Sequence, residues 1–190
     1  SPDGLTALSA SDDKTLILWD IKTGNSIRQF RGHADKVTSV AFTSDGQRAI
    51  SGSADKTMLL WNLQTGDIIR HFKEQADAVW SVAVSPDAQY AASGGSVGQL
   101  ILWNLNSGEI VRNFAGHKDG IRSVKFSADG TQLLTASDDT KVILWDVQTG
   151  QIIRRFEGAV RQRSSVVFSA DNRSIVSAGD DATIIWNIET

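Results

Sequence analysis

The sequence predicts an all-β protein built from one repeated unit, and three observations lead to this fold class. Tryptophan recurs at steps of 42 residues, with a last step of 41, at Trp19, Trp61, Trp103, Trp145 and Trp186. Each of these tryptophans follows apolar residues and precedes Asp or Asn. The residues between two of them divide into four short apolar segments separated by turn residues. A fixed period of this length indicates one supersecondary unit that is stacked many times.

The unit at residues 32–72 shows the four segments most clearly. They cover residues 37–42, 48–52, 57–63 and 68–72, and each has the length and composition of a strand. Short stretches rich in Gly and Asp separate the strands. These residues favour turns, because Gly can adopt a positive φ and the Asp side chain bonds back to the local backbone. None of the segments carries the periodic apolar stripe of a helix. We therefore expect four antiparallel strands in each unit.

The third strand of each unit predicts how the sheets are arranged. Residues 58–61 and 142–145 are apolar at consecutive positions, so both faces of the sheet must be covered. Sheets that are buried on both sides and repeated at a constant interval pack well face to face around an axis, as the blades of a β-propeller do. A parallel solenoid is the alternative, although its rungs would be shorter than this repeat.

Taken in order, the units divide the chain into a propeller segment of about four and a half repeats. Residues 1–31 form a partial blade with strands two to four, and residues 158–190 form a partial blade with strands one to three. Complete blades cover residues 32–73, 74–115 and 116–157. The resulting number of strands does not make whole four-stranded blades. We expect part of a larger seven-bladed or multi-domain protein, or alternatively open ends that recruit further copies and close as a homo-oligomer.

The repeats resemble the WD-repeat β-propeller family across essentially the whole chain. The resemblance rests on Gly32-His33 and Gly116-His117, on the Ser-Pro/Ala-Asp-Gly turns and on the Trp-Asp/Asn pairs. In that family a hydrogen-bonded tetrad joins a His before strand one, a Ser or Thr on strand two, an Asp in the following turn and the Trp of strand three. The resemblance implies two complete tetrads: His33, Ser51, Asp55 and Trp61, and His117, Thr135, Asp139 and Trp145. It implies partial tetrads at Ser9, Asp13 and Trp19, at Ser93 and Trp103, and at Ser177, Asp181 and Trp186.

The third unit departs from the tetrad pattern. Gln75 stands at the His position and Val97 at the Asp position, so we expect this blade to lack the polar network. Ala88 also replaces a turn glycine there, and Ala159 replaces the His of the last unit. A buried Trp still needs an acceptor for its N–H, which a Ser or Thr hydroxyl can provide.

The resemblance implies a non-catalytic scaffold that binds a protein or peptide on one face of the propeller. In relatives, the position of Trp80 on strand one opens onto that face, and an exposed Trp is often a hot-spot residue. Neighbouring positions complete the candidate partner-binding set: Trp80, Arg122, Thr38, Lys36, Asp12 and Asp138. The alternative for Trp80 is packing between two blades.

Ser, His and Asp also occur together in hydrolases, but the repeat argues against catalysis. The trio appears twice at repeat spacing with a Trp attached, and no strand-to-helix nucleophile turn is present. The Asp pairs in the turns lack the alternating ligand spacing of a calcium loop, and there is no cysteine. We therefore expect no catalytic residue, metal or cofactor, and an enzyme built on a propeller is the weakest alternative.

Arginine recurs on the fourth strands at Arg28, Arg70, Arg112 and Arg154. These strands form the outer edges of a propeller, where charge hinders edge-to-edge pairing. The denser group of Arg154, Arg155, Arg161 and Arg163 could alternatively dock an acidic partner.

The net charge and the length of the apolar runs indicate which classes of partner the protein binds. A formal net charge of −3 with mixed signs does not favour nucleic acid or an acidic membrane surface. No apolar run reaches the length of a membrane-spanning helix. We expect a cytoplasmic protein whose partner is a protein or peptide.

Overall fold

The computed structural model describes residues 1–73, 75–158, 165–180 and 182–188. The regular secondary structure of these residues consists of β-strands. The first sheet contains β1 (Thr6–Ala10), β2 (Thr15–Asp20) and β3 (Ser26–Arg31). The second contains β4 (Val37–Phe42), β5 (Arg48–Ser53), β6 (Met58–Asn62) and β7 (Ile68–Phe72). The third contains β8 (Val79–Val84), β9 (Tyr90–Gly95), β10 (Leu100–Asn104) and β11 (Ile110–Phe114). The fourth contains β12 (Ile121–Phe126), β13 (Gln132–Ser137), β14 (Lys141–Asp146) and β15 (Ile152–Glu157), and the fifth contains β16 (Ser165–Phe168), β17 (Ser174–Ala178) and β18 (Thr183–Asn187).

Each sheet is an antiparallel meander in which consecutive strands of the chain are neighbours. The pairing of the third with the fourth strand shifts register beside the tryptophan, between Leu60 and Trp61 in the second sheet. The same shift occurs between Leu102 and Trp103 and between Leu144 and Trp145. The predicted all-β fold, with antiparallel sheets of the kind that form propeller blades, is confirmed.

The hydrophobic core lies between successive sheets, which explains the consecutive apolar residues of the third strands. Leu59 and Trp61 pack with Leu16 and Phe30 of the first sheet. Leu60, one residue away, packs in the next cluster with residues of the third sheet such as Trp103. Neighbouring side chains of one strand therefore join two different cores, as alternation across a strand requires.

The turns between first and second strands use a residue in the left-handed region. Gly46 has a φ of 67° and closes its turn with an N–H bond to Thr43 O of 2.9 Å. Ala88 makes the same turn with a φ of 54° and bonds Ser85 O at 2.8 Å. The left-handed conformation costs an L-residue roughly 1–2 kcal/mol, so this turn of the third sheet carries local strain that the same turn of the second sheet does not.

The described residues contain no helix that is long and apolar enough to cross a membrane.

Candidate functional site

The second sheet contains a continuous chain of hydrogen bonds from its tryptophan to a carboxylate. Trp61 Nε1 donates to Ser51 Oγ at 2.8 Å, and Ser51 Oγ lies 2.7 Å from His33 Nε2. His33 Nδ1 lies 2.9 Å from Asp55 Oδ2, which also accepts the Ala34 N–H at 2.8 Å. The side chain of Ser51 is buried, so its hydroxyl bridges Trp and His and is not presented to a substrate.

The protonation of this chain follows from burial. Burial lowers the pKa of His33 below its usual value of 6.5, although the hydrogen bond to Asp55 and the charge of that carboxylate act in the opposite direction. Burial alone would raise the pKa of Asp55, but hydrogen bonds from Thr57, Ala34 and His33 outweigh it and lower the pKa below 3.8. At neutral pH a neutral imidazole therefore donates from Nδ1 to an ionised Asp55 and accepts the Ser51 proton at Nε2.

The fourth sheet repeats the arrangement with Thr in place of Ser. Trp145 Nε1 donates to Thr135 Oγ1 at 2.8 Å, and Thr135 Oγ1 lies 2.7 Å from His117 Nε2. His117 Nδ1 lies 2.9 Å from Asp139 Oδ2. Burial again lowers the pKa of His117, against the effect of Asp139. Satisfied buried networks of this kind rigidify the sheets that contain them.

The expectation that the third sheet lacks a polar network is wrong. Trp103 Nε1 donates to Ser93 Oγ at 2.8 Å, and Gln75 Nε2 donates to the same oxygen. Gln99 Oε1 accepts the Ala76 N–H at 3.0 Å, the bond that Asp55 makes with Ala34 in the second sheet. Two amide side chains thus replace the His and Asp, because amides offer both donors and acceptors without a charge.

The end sheets keep only part of the network. Trp19 Nε1 donates to Ser9 Oγ at 2.8 Å, and Trp186 Nε1 donates to Ser177 Oγ at 3.0 Å. The carboxylate of Asp13 accepts from the Thr15 hydroxyl and N–H at 2.7 and 2.9 Å. Asp181, Ala159, Arg161 and Arg163 lie outside the described residues.

Trp80 on β8 forms a cluster with two residues of the fourth sheet. The guanidinium carbon of Arg122 lies 3.7 Å from the Trp80 ring centroid, in a cation–π contact. Asp138 holds the same guanidinium through Arg122 Nε and Nη2, at 2.9 and 2.7 Å from its Oδ2. A Cβ at Gly120 would overlap the Trp80 ring, so the indole rests directly on this glycine. The cluster joins two sheets while leaving Trp80 and Arg122 partly open to solvent.

The remaining partner-binding candidates lie beside the second sheet. Lys36 Nζ forms an ion pair with Asp12 Oδ2 of the first sheet at 2.8 Å, and both side chains are exposed. Thr38 Oγ1 lies 2.9 Å from Gly52 O and 2.5 Å from Val79 O, to either of which it can donate. Thr38 therefore bonds the protein's own backbone, whereas the Lys36–Asp12 pair is accessible to a partner.

The arginines of the fourth strands connect each sheet to the next one. Arg28 donates to Gln64 O at 2.9 Å and to Thr65 O at 3.0 Å. Equivalent bonds join Arg70 to Ser107 O and Arg112 to Gln148 O and Thr149 O. Arg154 bonds Ile188 O, one position earlier in the repeat. These bonds give the arginines a contact between sheets, and the expectation that their charge hinders edge pairing stays a prediction. Residue spacing predicted their strand but not the neighbouring turn that accepts the bonds.

Serines on the first strands make a second connection that sequence reasoning missed. Ser39 Oγ accepts the Val82 N–H at 3.1 Å, and Ser81 Oγ accepts the Val124 N–H at 3.0 Å. Ser123 Oγ accepts the Val166 N–H at 3.3 Å. The recurrence of Ser at the repeat period on strand one was the available signal for this connection.

Within the described part of the chain, no group of three or more His, Asp and Glu side chains could hold a metal ion.

Comparison with known proteins agrees with this geometry. A segment of 47 residues is 51% identical to the human "WD repeat and SOCS box-containing protein 1", covering 24% of this chain and 11% of that protein. The chain therefore matches only a small part of the length of this relative. The family model described as "WD domain, G-beta repeat" matches residues 1–20, 24–62, 66–104, 108–146 and 150–187. With five matches across nearly its whole length, the chain belongs to the WD40 repeat family.

Proposed function

We propose that the chain is a protein-interaction scaffold whose peptide-binding face is centred on Trp80, Arg122 and Asp138. WD40 repeats generally imply a scaffold for protein interactions. The observation that carries the finer proposal is the cation–π stack of Arg122 on Trp80, together with the bonds that Arg122 Nε and Nη2 donate to Asp138 Oδ2. A partly exposed Trp and Arg held in fixed positions are the residue types that dominate binding energy in protein interfaces.

The geometry of the cluster favours an extended peptide with an apolar and an acidic side chain. The open part of the Trp80 ring can cover an apolar group, and Arg122 is 36% exposed while Asp138 is 14% exposed. A ligand carboxylate can therefore approach the guanidinium more readily than a cation can approach Asp138. Because the Arg122 rotamer is already fixed, little side-chain entropy is lost on binding.

The test is a selection of peptides against the parent protein, followed by affinity measurements on variants. Trp80→Thr introduces the residue that the second sheet has at this position, and Gly120→Ala displaces the indole. Both should weaken the selected peptides at least about tenfold. Ile69→Ala, an exposed change on the outer strand β7, is the control and should leave affinity unchanged.

Equal affinity of the selected peptides for parent and Trp80→Thr would refute the proposed face. A Trp80→Thr variant that loses as much stability as Trp61→Ala while keeping its peptides would assign Trp80 to packing alone.

We further propose that the protein is cytoplasmic and that its partner is a protein or a peptide. The net charge of −3 supports this class over nucleic acid or an acidic membrane. Retention on DNA or on anionic vesicles at low salt would contradict it.

A further inference from the structure

The chain contains four Asp–Gly pairs, at residues 3–4, 45–46, 119–120 and 129–130. Such a pair can rearrange without an enzyme, because the glycine nitrogen can attack the carboxyl carbon of the preceding aspartate. Glycine reacts most readily, since it has no Cβ to hinder its nitrogen. All four pairs lie in the described part of the chain, so the geometry of each can be compared with that of the others.

Three of these pairs lie in turns that give both reacting groups other partners. Asp45 Oδ1 accepts the Gln47 N–H at 2.9 Å and the hydroxyl of Thr43. Gly46 N donates to Thr43 O at 2.9 Å. The same pattern of bonds occurs at residues 129–130 and 3–4. In these pairs neither the carboxylate nor the glycine N–H is bonded to the other.

Asp119 and Gly120, which precede β12, are arranged differently. Gly120 N donates to Asp119 Oδ1 at 2.7 Å, so the nitrogen lies beside the carboxyl group that it would attack. Ser137 Oγ donates to Asp119 O at 2.9 Å, and Asp138 N donates to Gly120 O at 2.9 Å. These bonds hold the two backbone carbonyls in place, while Asp119 is exposed to water. Reacting groups that are held together close a ring faster than groups that are held apart.

Hydrogen bonding in the turns also protects the other pairs through the charge of their carboxyl groups. The hydroxyl of Thr43 lowers the pKa of Asp45 below 3.8, and the hydroxyl of Ser127 does the same for Asp129. The ring closure uses the neutral carboxyl group, because its hydroxyl can leave as water. A lowered pKa makes this neutral form rarer at a given pH, so the aspartates in these turns react more slowly.

We propose that Asp119–Gly120 is a modification site, at which the aspartate converts to isoaspartate through a cyclic succinimide. Gly120 N forms a bond to Asp119 Cγ, and the hydroxyl of the neutral carboxyl group leaves as water with the proton of that nitrogen. A water molecule then attacks one of the two ring carbonyls. Attack at Asp119 C breaks the bond to Gly120 N, which takes back a proton, and leaves isoaspartate; attack at Cγ restores aspartate. Water is the only reagent, and nothing is oxidised or reduced.

The modification changes the backbone on which Trp80 rests. A Cβ at Gly120 would lie 1.9 Å from Trp80 Cζ3, so the indole is in direct contact with this glycine. Isoaspartate adds one carbon atom to the main chain before Gly120, which then cannot keep both its bond from Asp138 N and its place under the ring. The Trp80 side chain should therefore move when Asp119 is modified, whatever this face of the protein binds.

The experiment is incubation of the folded protein at neutral pH in water enriched in heavy oxygen, followed by proteolysis and mass spectrometry. Each passage through the succinimide leaves a heavy oxygen in the residue, whether aspartate or isoaspartate forms, and chromatography separates the two isomeric peptides. We expect at least about tenfold more label at Asp119 than at Asp45 or Asp129, with isoaspartate present at residue 119.

Asp77–Ala78 is the matched control for the glycine. Ala78 N donates to Asp77 Oδ1 at 2.7 Å, the same bond as in the proposed site, but the Ala78 Cβ hinders the nitrogen. Asp77 should therefore carry at least about tenfold less label than Asp119. Asp119→Glu, whose carboxyl group would have to close a six-membered ring, should remove the label at this position and leave Asp45 and Asp129 unchanged.

Protein unfolded in denaturant is the reference, because the four Asp–Gly pairs no longer differ in geometry there and should be labelled to a similar extent. No label at Asp119 in the folded protein, or a folded pattern equal to the unfolded one, would overturn the proposal. The indole N–H signal of Trp80, assigned through Trp80→Thr, follows the ring. It should shift in the isoaspartate fraction, and an unshifted signal would contradict the expected movement.

Discussion

Gln75 Nε2 bonds Ser93 Oγ in the third sheet at the position where His33 bonds Ser51 in the second. The replacement is incomplete, because the buried Gln75 Oε1 has no hydrogen-bond partner. The third sheet thus keeps its Trp acceptor but lacks the ionised carboxylate that completes the network in the second and fourth sheets. An orphaned buried polar group costs about 1–3 kcal/mol.

Restoring the full network in the third sheet should therefore stabilise the protein. We expect the double variant Gln75→His, Val97→Asp to raise the free energy of unfolding by about 1–2 kcal/mol in denaturant titration. Gln75→His alone leaves the imidazole Nδ1–H without a carboxylate and should gain less. A double variant no more stable than the parent would show that the amide pair is an equivalent solution.

The two His–Asp pairs should make stability depend on pH. The lowered pKa of His33 and of His117 means that the unfolded chain binds more protons than the folded one once pH falls below about 6.5. The contribution of the two histidines to the free energy of unfolding is therefore fully present above that pH and declines as the solution is acidified. The lowered pKa values of Asp55 and Asp139 add a further loss as pH falls below about 3.8.

The measurement is the denaturation midpoint at pH 7.5 and at pH 5.5. The control is the double variant His33→Gln, His117→Gln, which copies the Gln of the third sheet. It should be less stable at pH 7.5 but lose less on acidification than the parent. A parent midpoint that does not change between the two pH values would contradict neutral buried histidines.

The cost of removing a tryptophan should depend on which sheet holds it. Trp61 is 1% exposed, so Trp61→Ala should cost about 3–5 kcal/mol through the cavity it leaves. Trp19 makes the same bond to a serine but is only partly buried, so Trp19→Ala should cost clearly less. Denaturant titration of both variants tests the comparison, and equal losses would mean that the first sheet is covered in solution.

The arginine connections should contribute measurably to stability. Arg112→Ala removes the bonds to Gln148 O and Thr149 O, at 2.6 and 2.9 Å, and should cost about 1–2 kcal/mol. Arg155→Ala, an exposed change on the fourth strand of the fourth sheet, is the control and should be nearly neutral. Equal small effects would assign the Arg112 bonds no net stabilising role.

The strands could be predicted well from the sequence because each strand occurs once in every repeat. A strand that is ambiguous in one copy can be recognised from the equivalent residues of another copy. β4 and β7 have the predicted bounds, and β6 differs from its prediction only at its ends. In the second and fourth sheets the Trp, Ser or Thr, His and Asp side chains lie within hydrogen-bonding distance of one another. Each of these residues has a fixed place within one sheet, so spacing along the repeat was enough to group them. Local spacing was sufficient for both results.

Contacts between sheets were harder to predict, because they depend on which groups of two units come together. Arg28 bonds a turn 36 residues later, and the position of Arg28 within its own strand does not reveal this. Gln75 was misjudged for a different reason, because an amide can fill a His position only when the side-chain rotamers allow it. The stacking of Arg122 on Trp80 likewise required coordinates of both sheets.

The fourth-strand arginine of each of the first four sheets bonds the sheet that follows, which gives the array a direction and makes it modular. Removing or adding one whole repeat leaves the contacts inside every distant repeat unchanged, so changes in repeat number are tolerated more readily than fractional ones. Amide hydrogen exchange of this chain should then be graded, faster in the first and fifth sheets than in the three between them. One sheet of the chain can thus lose order while a distant sheet keeps its shape.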